Sequence, residues 1–523
     1  MIDVLVTATL SAATSNDPPP APDAGQMQVS FKGTPQAELF GRIVNESFAG
    51  TMTHNLVRTR TMWKETREKQ LARKDEVHQG ELAPGFIHAS PEGQGWFGSM
   101  WTRDGGTYLR ELTLWGAEAE MRLVAHACMD LVGLNEEGFQ AYPEYFKPGK
   151  PNAGHEWDGT GSIIIALALV SRRLPAEDPL VLKIRSFLLA DTSPLRGIIT
   201  ALAKKPLIAG SGEFGPGCFL KGKACNVVQN GLVRLALLAG AQVADDAGQA
   251  ALAQTWRTAA GKLGNDMLRL LLAPDGGWLW CLTPGTLQPD PAVLNAEIND
   301  GFVGILGVFC MQSDWLGLVP DAGWVDSSRA AKTLERLWAF PRRQEMFQKF
   351  GICLQFNRFM GGTHASPSYG HGYFLQSCLL LNRLDLVETG LHGLATWTHN
   401  QGQRRSPYFI FEQWRLPPVA NMAQIGCGEL NLVNVTETLK VARMIFGVDD
   451  RVPGKLHLVP RLPPTWNEAV AERVPVQTPA GIQRATIHLV RDGAGVKTTV
   501  TTAAGKSLEH TVAQPSAAQT TKP

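Results

Sequence analysis

The first group of residues with chemical potential in this chain is Trp101, Arg103 and Asp104, just before a predicted long helix. A tryptophan offers a flat apolar face, an arginine a rigid fork of donors, and an aspartate a hydrogen-bond acceptor. Sugars need this combination, because a sugar ring has apolar faces and a rim of hydroxyl groups. The alternative is a plain Arg–Asp pair in which Asp104 caps the helix. The sequence therefore predicts that these three residues bind substrate.

A second group lies at the start of another apolar segment, where Glu156 and Asp158 stand on either side of Trp157. Apolar surroundings raise the pKa of a carboxyl group towards neutrality, which a general acid requires. The alternative is that Asp158 caps the helix that follows. We expect one of the two carboxyls to be a catalytic acid and Trp157 to form part of the pocket wall.

The third group is Glu412, Gln413 and Trp414, within a strand-like run of aromatic residues. A carboxylate is costly to bury among aromatic side chains unless it serves a purpose. An ion pair of Glu412 with Arg405 or Arg415 is the alternative. The pattern predicts a second catalytic carboxylate at Glu412, with substrate contacts from Gln413 and Trp414.

A polar loop between residues 361 and 371 carries His364, Tyr369 and His371, which we expect to line the pocket and bind substrate. A metal role for the two histidines is the less favoured interpretation.

The eight cysteines include no C-x-x-C pair and mostly lie in apolar runs, which is typical of buried core residues. A disulfide between Cys218 and Cys225 is the alternative for that pair. The sequence therefore predicts neither a metal site nor a cofactor.

The elements that must position these residues are mostly helical. From about residue 35 to 448, helical periods recur in about a dozen segments, separated by Gly- and Pro-rich loops. After residue 447 short β-branched segments predict strands. We expect an N-terminal extension at 1–34 that is partly disordered, a helical catalytic domain at 35–448, a small β domain at 449–506 and a disordered tail at 507–523.

The amino-acid composition indicates which classes of binding partner this protein can have. The 49 Lys and Arg residues balance 48 Asp and Glu residues, which argues against nucleic-acid binding. The sequence has no run of about 18 uncharged apolar residues, so it predicts no membrane span. The apolar stretch Val4–Ala13 has no preceding Lys or Arg, as a signal peptide would, so a cytoplasmic location is favoured over a secreted or periplasmic one. Tryptophan is abundant, with 14 residues against 6 tyrosines, as in sites that hold ring-shaped ligands.

Taken together, these motifs resemble the six-hairpin glycosidase superfamily, which includes glucoamylases, trehalases, α-L-rhamnosidases and metal-independent α-mannosidases. The segment 100–104 resembles the W-x-R-D loop that holds the sugar, 156–159 resembles the loop of the catalytic acid, and 411–414 resembles the motif of the catalytic base. The segment 454–466 resembles the junction between barrel and β-sandwich, and 479–481 the tight turn after it. The resemblance implies a mainly α fold: an (α/α)6 toroid barrel with a small C-terminal β-sandwich-like domain.

The chain also departs from the superfamily. Many members carry a β-sandwich before the barrel, whereas here only about 95 residues precede the W-x-R-D loop, so we expect no such domain. Glucoamylases use Glu as the acid, and the mannosidase- and trehalase-like members use Asp. Because Asp158 adjoins the helix start, it is favoured over Glu156, which stays open as the acid.

The resemblance implies an inverting glycoside hydrolase in which Asp158 protonates the glycosidic oxygen and Glu412 deprotonates a water. Inversion places the two carboxyls about 6.5–9.5 Å apart. The expected substrate is an α-linked sugar cleaved from the chain end, an α-glucoside ahead of an α-mannoside or α-rhamnoside. Three alternatives remain: a glycoside phosphorylase, a uronate polysaccharide lyase that uses Tyr369, His371 and Arg405, and a non-catalytic sugar-binding protein.

Overall fold

The computed structural model describes residues 25–53, 55–57, 59–60, 64, 82–89, 99–146, 151–210, 224–289, 303–318, 326–356, 364–366, 368–398, 410–415 and 426–513. Predictions about Val4–Ala13, Cys218 and Arg405 fall outside the described residues.

Helices dominate the described chain up to residue 446. The helix bounds are Pro35–Ser47, Thr102–Trp115, Glu118–Asp130, Trp157–Arg173, Pro179–Leu189, Pro194–Lys204, Val227–Asp246, Ala250–Leu270, Gly307–Cys310, Ser313–Leu316, Ser327–Trp338, Pro341–Phe350, Ser368–Leu380, Leu384–Gly393 and Leu432–Phe446.

Local sequence explains several helix ends. The Thr34 hydroxyl accepts a hydrogen bond from the Ala37 N–H at 3.1 Å, and Pro35 fills the first helical position. Gly116 adopts a left-handed φ of 81° and ends the helix Thr102–Trp115. For this reason Thr102–Trp115 and Glu118–Asp130 are separate helices.

Contacts between helices run in a closed cycle. Thr102–Trp115 packs on Trp157–Arg173, which packs on Val227–Asp246. The cycle continues through the short helical segments at 303–310 to Ser368–Leu380, then to Leu432–Phe446, which packs back on Thr102–Trp115. Among the described residues, six helical elements therefore surround a common interior.

That interior holds a group of buried charges, here called the interior network. Arg110 donates to Glu111 at 2.7 Å and to Glu437 at 3.0 Å, and Glu111 also accepts two hydrogen bonds from Arg443. Its six charged members are Arg110, Glu111, Asp314, Glu437, Lys440 and Arg443.

In the described part of the chain, two sheets consist mainly of strands that follow the last helix. The strands of the first are Gln28–Lys32, Glu468–Thr478, Gly481–Asp492 and Gly495–Thr502, and those of the second are Val448–Val452, Lys455–Leu458 and His510–Val512. The first sheet is antiparallel, and Thr478 pairs with Gly481 across a tight two-residue turn. Gly481 has a φ of 102°, which glycine adopts without strain.

Both ends of the described chain contribute strands that the sequence did not predict. Gln28 pairs with Glu472 and Lys32 with Glu468, so part of the expected N-terminal extension is an edge strand of the first sheet. Residues 507–513 differ from the expected disordered tail, because Leu456 pairs with His510 and Leu458 with Val512. The physical reason is the same in each case, since a short strand gains its hydrogen bonds from a partner distant in sequence.

An aromatic cluster joins the sheets to the helices. The ring centroid of Phe31 lies 4.8 Å from that of Trp466 and 5.7 Å from those of Phe40 and Phe446. All four side chains are buried. The edge strand, the first helix, the last helix and the β region therefore share one core.

The helix Val227–Asp246 meets the length and hydropathy expected of a membrane span. Within its most apolar window, 89% of the residues are buried inside the fold, as in a core helix.

Candidate active site

The first two predicted groups meet at the N-terminal ends of neighbouring helices. Arg103 lies on the first turn of Thr102–Trp115, and Asp158 lies on the first turn of Trp157–Arg173. The Arg103 Nη1 atom donates to Asp158 Oδ2 at 3.0 Å and lies 3.5 Å from Glu156 Oε1. One guanidinium therefore serves two carboxyl groups, here called the acid pair.

Small residues allow this close approach. A Cβ atom on Gly159 would lie 2.0 Å from the Thr102 hydroxyl oxygen, and one on Gly106 would lie 2.2 Å from the Ser162 hydroxyl oxygen. Larger side chains would separate the two helix starts. The glycines thus set the distance between Arg103 and the acid pair.

The two acids have different hydrogen-bond partners. Asp158 accepts from Arg103 and, through Oδ1, from the Gly159 N–H at 2.8 Å. Glu156 precedes the helix, with an extended backbone and no side-chain capping bond, and it shares a hydrogen bond with Asp158. Glu156 is 3% exposed and Asp158 1% exposed, so neither exchanges partners freely with water.

These surroundings drive the two pKa values apart. Burial raises the pKa of Glu156 well above its ordinary value, and the neighbouring carboxylate of Asp158 raises it further. Burial alone would also raise the pKa of Asp158, but Arg103 and the hydrogen bonds from Glu156 and Gly159 hold it below its ordinary value. Of the two carboxyls, Glu156 is therefore the one that keeps a proton to higher pH, and Asp158 is the one that ionises first.

Aromatic side chains border this end of the helices. Trp101 belongs to the short strand Met100–Trp101, which pairs with Tyr145–Phe146, and its ring centroid lies 5.3 Å from that of Tyr145. Both rings are half-buried, as is Trp157. In contrast, Trp115, Trp256, Trp280 and Trp466 are fully buried in the core.

Asp104, predicted to bind substrate, lies beside Arg103 on the first helical turn. Its side chain is buried, and its carbonyl oxygen accepts a hydrogen bond from the Thr107 hydroxyl at 3.1 Å. The structure therefore brings Trp101, Arg103, Asp104 and the acid pair to one end of the helical region.

For Glu412, Gln413 and Trp414 the structure describes the backbone. They lie on the strand Ile410–Arg415, which pairs with Gly426–Asn431. The register shifts between Phe411 and Gln413, so Glu412 occupies an irregular position of the ladder, a feature common beside active sites.

Backbone contacts connect this strand pair to the Trp101 segment. Leu432, the residue after the second strand, donates its N–H to Ala89 O at 2.9 Å. Ala89 in turn donates to Ser99 O at 3.2 Å, next to Met100. The fold thus brings the start of the last helix, which follows the partner strand of Glu412, close to the W-x-R-D segment.

The polar loop at residues 361–371, which was predicted to line the pocket, is placed differently from that prediction at His371. His371 is buried, its Nδ1 accepts from the Cys353 N–H at 3.0 Å, and its Nε2 lies 3.3 Å from Gly390 O. Burial lowers its pKa to about 3, so the ring is neutral. The prediction that His371 binds substrate is corrected, because both ring nitrogens are already bonded to backbone atoms in the core.

The backbone of His364 lies on the strand His364–Ser366 beside Arg415, and Tyr369 lies in the helix Ser368–Leu380; their side chains fall outside the described residues.

Sequence reasoning missed the segment around Tyr145. The Thr102 N–H donates to Glu144 O at 3.1 Å, and the Thr102 hydroxyl donates to Pro143 O at 2.9 Å. This segment therefore fixes the helix start that carries Arg103. A two-residue strand leaves no periodic signal, although the aromatic pair Tyr145–Phe146 could have marked it.

No protein-family model matches the sequence, and no curated protein sequence matches it. Similar solved structures do exist. The GH78 family rhamnosidase of Bacillus sp. GL1 matches with a TM-score of 0.58 and 14% identity over 95% of this chain and 43% of the other. The α-L-rhamnosidase of Dictyoglomus thermophilum matches with a TM-score of 0.52 and 9% identity over 91% of this chain and 44% of the other. That of Streptomyces avermitilis, complexed with L-rhamnose, matches with a TM-score of 0.50 and 10% identity over 91% and 37%.

The class that emerges is a mainly helical protein with C-terminal β-sheets that shares its fold with these rhamnosidases. The resemblance predicted from the short motifs is thereby confirmed at the level of fold. In particular, the fold is shared with rhamnosidases whose chains are more than twice as long, since this chain spans less than half of each.

Proposed function

We propose that this protein is a glycoside hydrolase that cleaves its substrate with inversion, using the acid pair and Glu412. The observation that carries the proposal is the acid pair itself, in which two buried carboxyls share one arginine and have pKa values shifted in opposite directions. Such pairs are typical of active sites, because a retained proton near neutral pH is what a general acid needs. The fold shared with glycoside hydrolases supports the same conclusion.

The cycle of six helical elements supports an (α/α)6 toroid barrel. In such a barrel the N-terminal ends of the inner helices meet around one opening, and here Arg103 and the acid pair lie at such ends. Trp101 and Tyr145 then form an aromatic wall against which a sugar ring stacks. A carbohydrate is accordingly the proposed partner.

In the proposed reaction, Glu156 donates its proton to the glycosidic oxygen as the bond from that oxygen to the anomeric carbon breaks. Glu412 removes a proton from a water whose oxygen bonds to the opposite face of the anomeric carbon. Asp158 and Arg103 hold the Glu156 proton in place before transfer. This proposal exchanges the roles favoured from the sequence, because Arg103 and the Gly159 N–H keep Asp158 ionised.

The sugar is proposed from the comparisons. The rhamnosidases match both the helical region and the C-terminal sheets, since they cover 91% or more of this chain. We therefore place α-L-rhamnosides first, ahead of the α-glucosides favoured by the motifs and of α-mannosides. Cleavage at the chain end is the proposed mode of action.

The test is a panel of aryl α-L-rhamnosides, α-glucosides and α-mannosides, with NMR of the first sugar anomer released. We expect turnover of one member and release of the inverted anomer. Phosphate-dependent turnover would indicate a phosphorylase, and a product absorbing in the ultraviolet would indicate a lyase. Release of the retained anomer, or no turnover of any glycoside, would overturn the proposal.

A further inference from the structure

A second polar pocket lies at the other end of the helix that carries Asp158. Arg172 and Arg173 end that helix, and 15 residues at 1.5 Å each place Arg173 about 22 Å from Asp158 along the axis. The pocket leaves about 50 Å³ for the centres of water-sized molecules and is partly open to solvent. Helical residues line one side, and Asp449, Asp450 and Arg451 of the first C-terminal strand line the other. We call it the arginine pocket.

Three of its four arginines are matched by carboxylates. Arg173 donates to both oxygens of Asp450, and Arg451 donates to both oxygens of Asp449, at 2.7 and 2.9 Å. Arg443 likewise donates twice to Glu111 of the interior network. Bidentate arginine–carboxylate pairs of this kind are strong and have a fixed geometry.

Arg172 differs from the other three. Its Nη2 donates to the carbonyl oxygen of Arg451 at 2.9 Å, and its guanidinium carbon lies 4.9 Å from the centre of the Trp315 ring. Within the described part of the chain, no carboxylate oxygen lies within ion-pair distance of Arg172. Its remaining N–H donors are therefore available to a ligand.

The local charges do not cancel. The pocket and the interior network, which share Asp314 and Arg443, hold six cations and five carboxylates. The cations are Arg110, Arg172, Arg173, Lys440, Arg443 and Arg451, and the carboxylates are Glu111, Asp314, Glu437, Asp449 and Asp450.

A further cation lies behind the pocket wall. Arg461 is fully buried and donates to the carbonyl oxygens of Leu318, which lines the pocket, and Val459. Among the described residues it too has carbonyl partners in place of a carboxylate. Burial lowers the pKa of Arg172 to about 10, and the positive charges of Arg173 and Arg451 act in the same direction, against the opposing effect of Asp450 and Asp449.

We propose that the arginine pocket binds a small inorganic oxyanion of the phosphate or sulfate class, with Arg172 as its principal donor. A guanidinium presents parallel N–H donors that match two oxygens of a tetrahedral oxyanion. The pocket opens to solvent, so such an ion can enter it, and the negative charge of the ion neutralises the surplus cation. Because the lining comes from both regions, the bound anion connects the helical region to the β region.

The test is calorimetric titration of the full chain with inorganic phosphate at constant ionic strength, with sodium chloride as the reference salt. We expect saturable binding with a dissociation constant of about 1 mM or tighter. Arg172→Gln should weaken binding at least tenfold, whereas the matched control Arg269→Gln, on an exposed helix face, should leave it unchanged. Phosphate should also raise the melting temperature of the wild type more than that of Arg172→Gln.

A second variant covers failure of Arg172→Gln to fold. Arg172→Lys keeps the charge but removes the planar fork, and it should bind phosphate at least threefold more weakly than the wild type. Absence of saturable binding to the wild type, or equal binding by the wild type and Arg172→Lys, would overturn the proposal. Binding that is lost in Arg103→Gln but kept in Arg172→Gln would place the anion at the acid pair instead, and would also overturn it.

Discussion

The acid pair and the interior network are both buried groups of charges, yet they differ in the ratio of cations to carboxylates. The acid pair has two carboxyls and one arginine, whereas the interior network has three carboxylates and three cations. In the network, burial alone would raise the pKa of Glu111, but Arg443 and Arg110 hold it below its ordinary value. In the acid pair, one carboxyl is left without a cation of its own, and its pKa rises.

Burial alone therefore does not distinguish the proposed catalytic carboxyl from the carboxylates of the interior network. A balanced group can ionise fully, and its charges fix neighbouring helices to one another. An unbalanced group must retain a proton, because two carboxylates so close together cannot both ionise beside one cation. The ratio of cations to carboxylates around a buried carboxyl therefore indicates whether that carboxyl is suited to hold a proton or to form structural ion pairs.

The largest effect is expected on turnover. Glu156→Gln removes the transferable proton and should lower kcat about 10²–10⁴-fold, the usual contribution of a general acid. Steady-state kinetics on the best aryl glycoside measure this, with the exposed Glu137→Gln as a matched control that keeps wild-type activity. Unchanged kcat in Glu156→Gln, together with a loss in Asp158→Asn, would return the acid role to Asp158.

The second largest effect is expected on the free energy of unfolding, which should respond differently to a substitution in the interior network and to one in the acid pair. Glu111→Gln leaves Arg110 and Arg443 buried without their shared carboxylate, so the free energy of unfolding should fall by about 3–5 kcal/mol. In the proposed protonation state Glu156→Gln replaces a neutral group, so its free energy of unfolding should stay within about 1 kcal/mol of the wild type. Urea unfolding at neutral pH measures both. Equal losses would show that the two regions are alike.

The pH dependence of stability should have opposite signs in the two regions. The folded pKa of Glu156 is raised, so its contribution is complete below the ordinary Glu pKa and is lost as pH rises through the folded value. The folded pKa of Glu111 is lowered, so its contribution is complete above the ordinary pKa and is lost as pH falls through the folded value. For either residue, a tenfold difference in acid dissociation constant between the folded and unfolded chain corresponds to about 1.4 kcal/mol of stability.

Urea unfolding of each variant and the wild type from pH 8 down to about pH 2 tests this sign, since the Glu111 contribution is lost only below the ordinary Glu pKa. The stability of the wild type relative to Glu156→Gln should decrease as pH rises. Relative to Glu111→Gln, it should decrease as pH falls. Parallel curves for the two variants would contradict the assignment of the proton to Glu156.

The sequence predicted the members of the acid pair but not which of them holds the proton. Trp101, Arg103 and Glu156 stood out by type and spacing, and the resemblance to a family brought them together across about 50 residues. The choice between Glu156 and Asp158 depends on a 3.0 Å contact to Arg103 and on the Gly159 N–H, which only the fold creates.

The fold likewise combines features that the local sequence predicts with features that depend on residues distant in sequence. Periodicity located most helices and the change to strands after residue 447. The strand Gln28–Lys32 was missed because its partner, Glu468–Thr478, lies more than 430 residues away. The interior network was missed too, since Arg110, Asp314 and Glu437 become neighbours only when the cycle of helices closes. His371 was predicted to bind substrate because it stands in a polar loop, but the fold buries it.

The smallest effect concerns an ion pair outside both regions, which shows how much the strength of a charge pair depends on burial. Lys262 Nζ lies 2.9 Å from Asp266 Oδ2, about the same distance as within the interior network, but the Lys262 side chain is 64% exposed. Water solvates an exposed ammonium group nearly as well as a carboxylate does, and Asp266 keeps Arg269 as a partner at 2.7 Å. Lys262→Gln should therefore lower the free energy of unfolding by only about 0.3–0.5 kcal/mol, measured by urea unfolding beside Glu111→Gln. A loss as large as that of Glu111→Gln would mean that distance, and not burial with balanced charge, sets the strength of ion pairs in this protein.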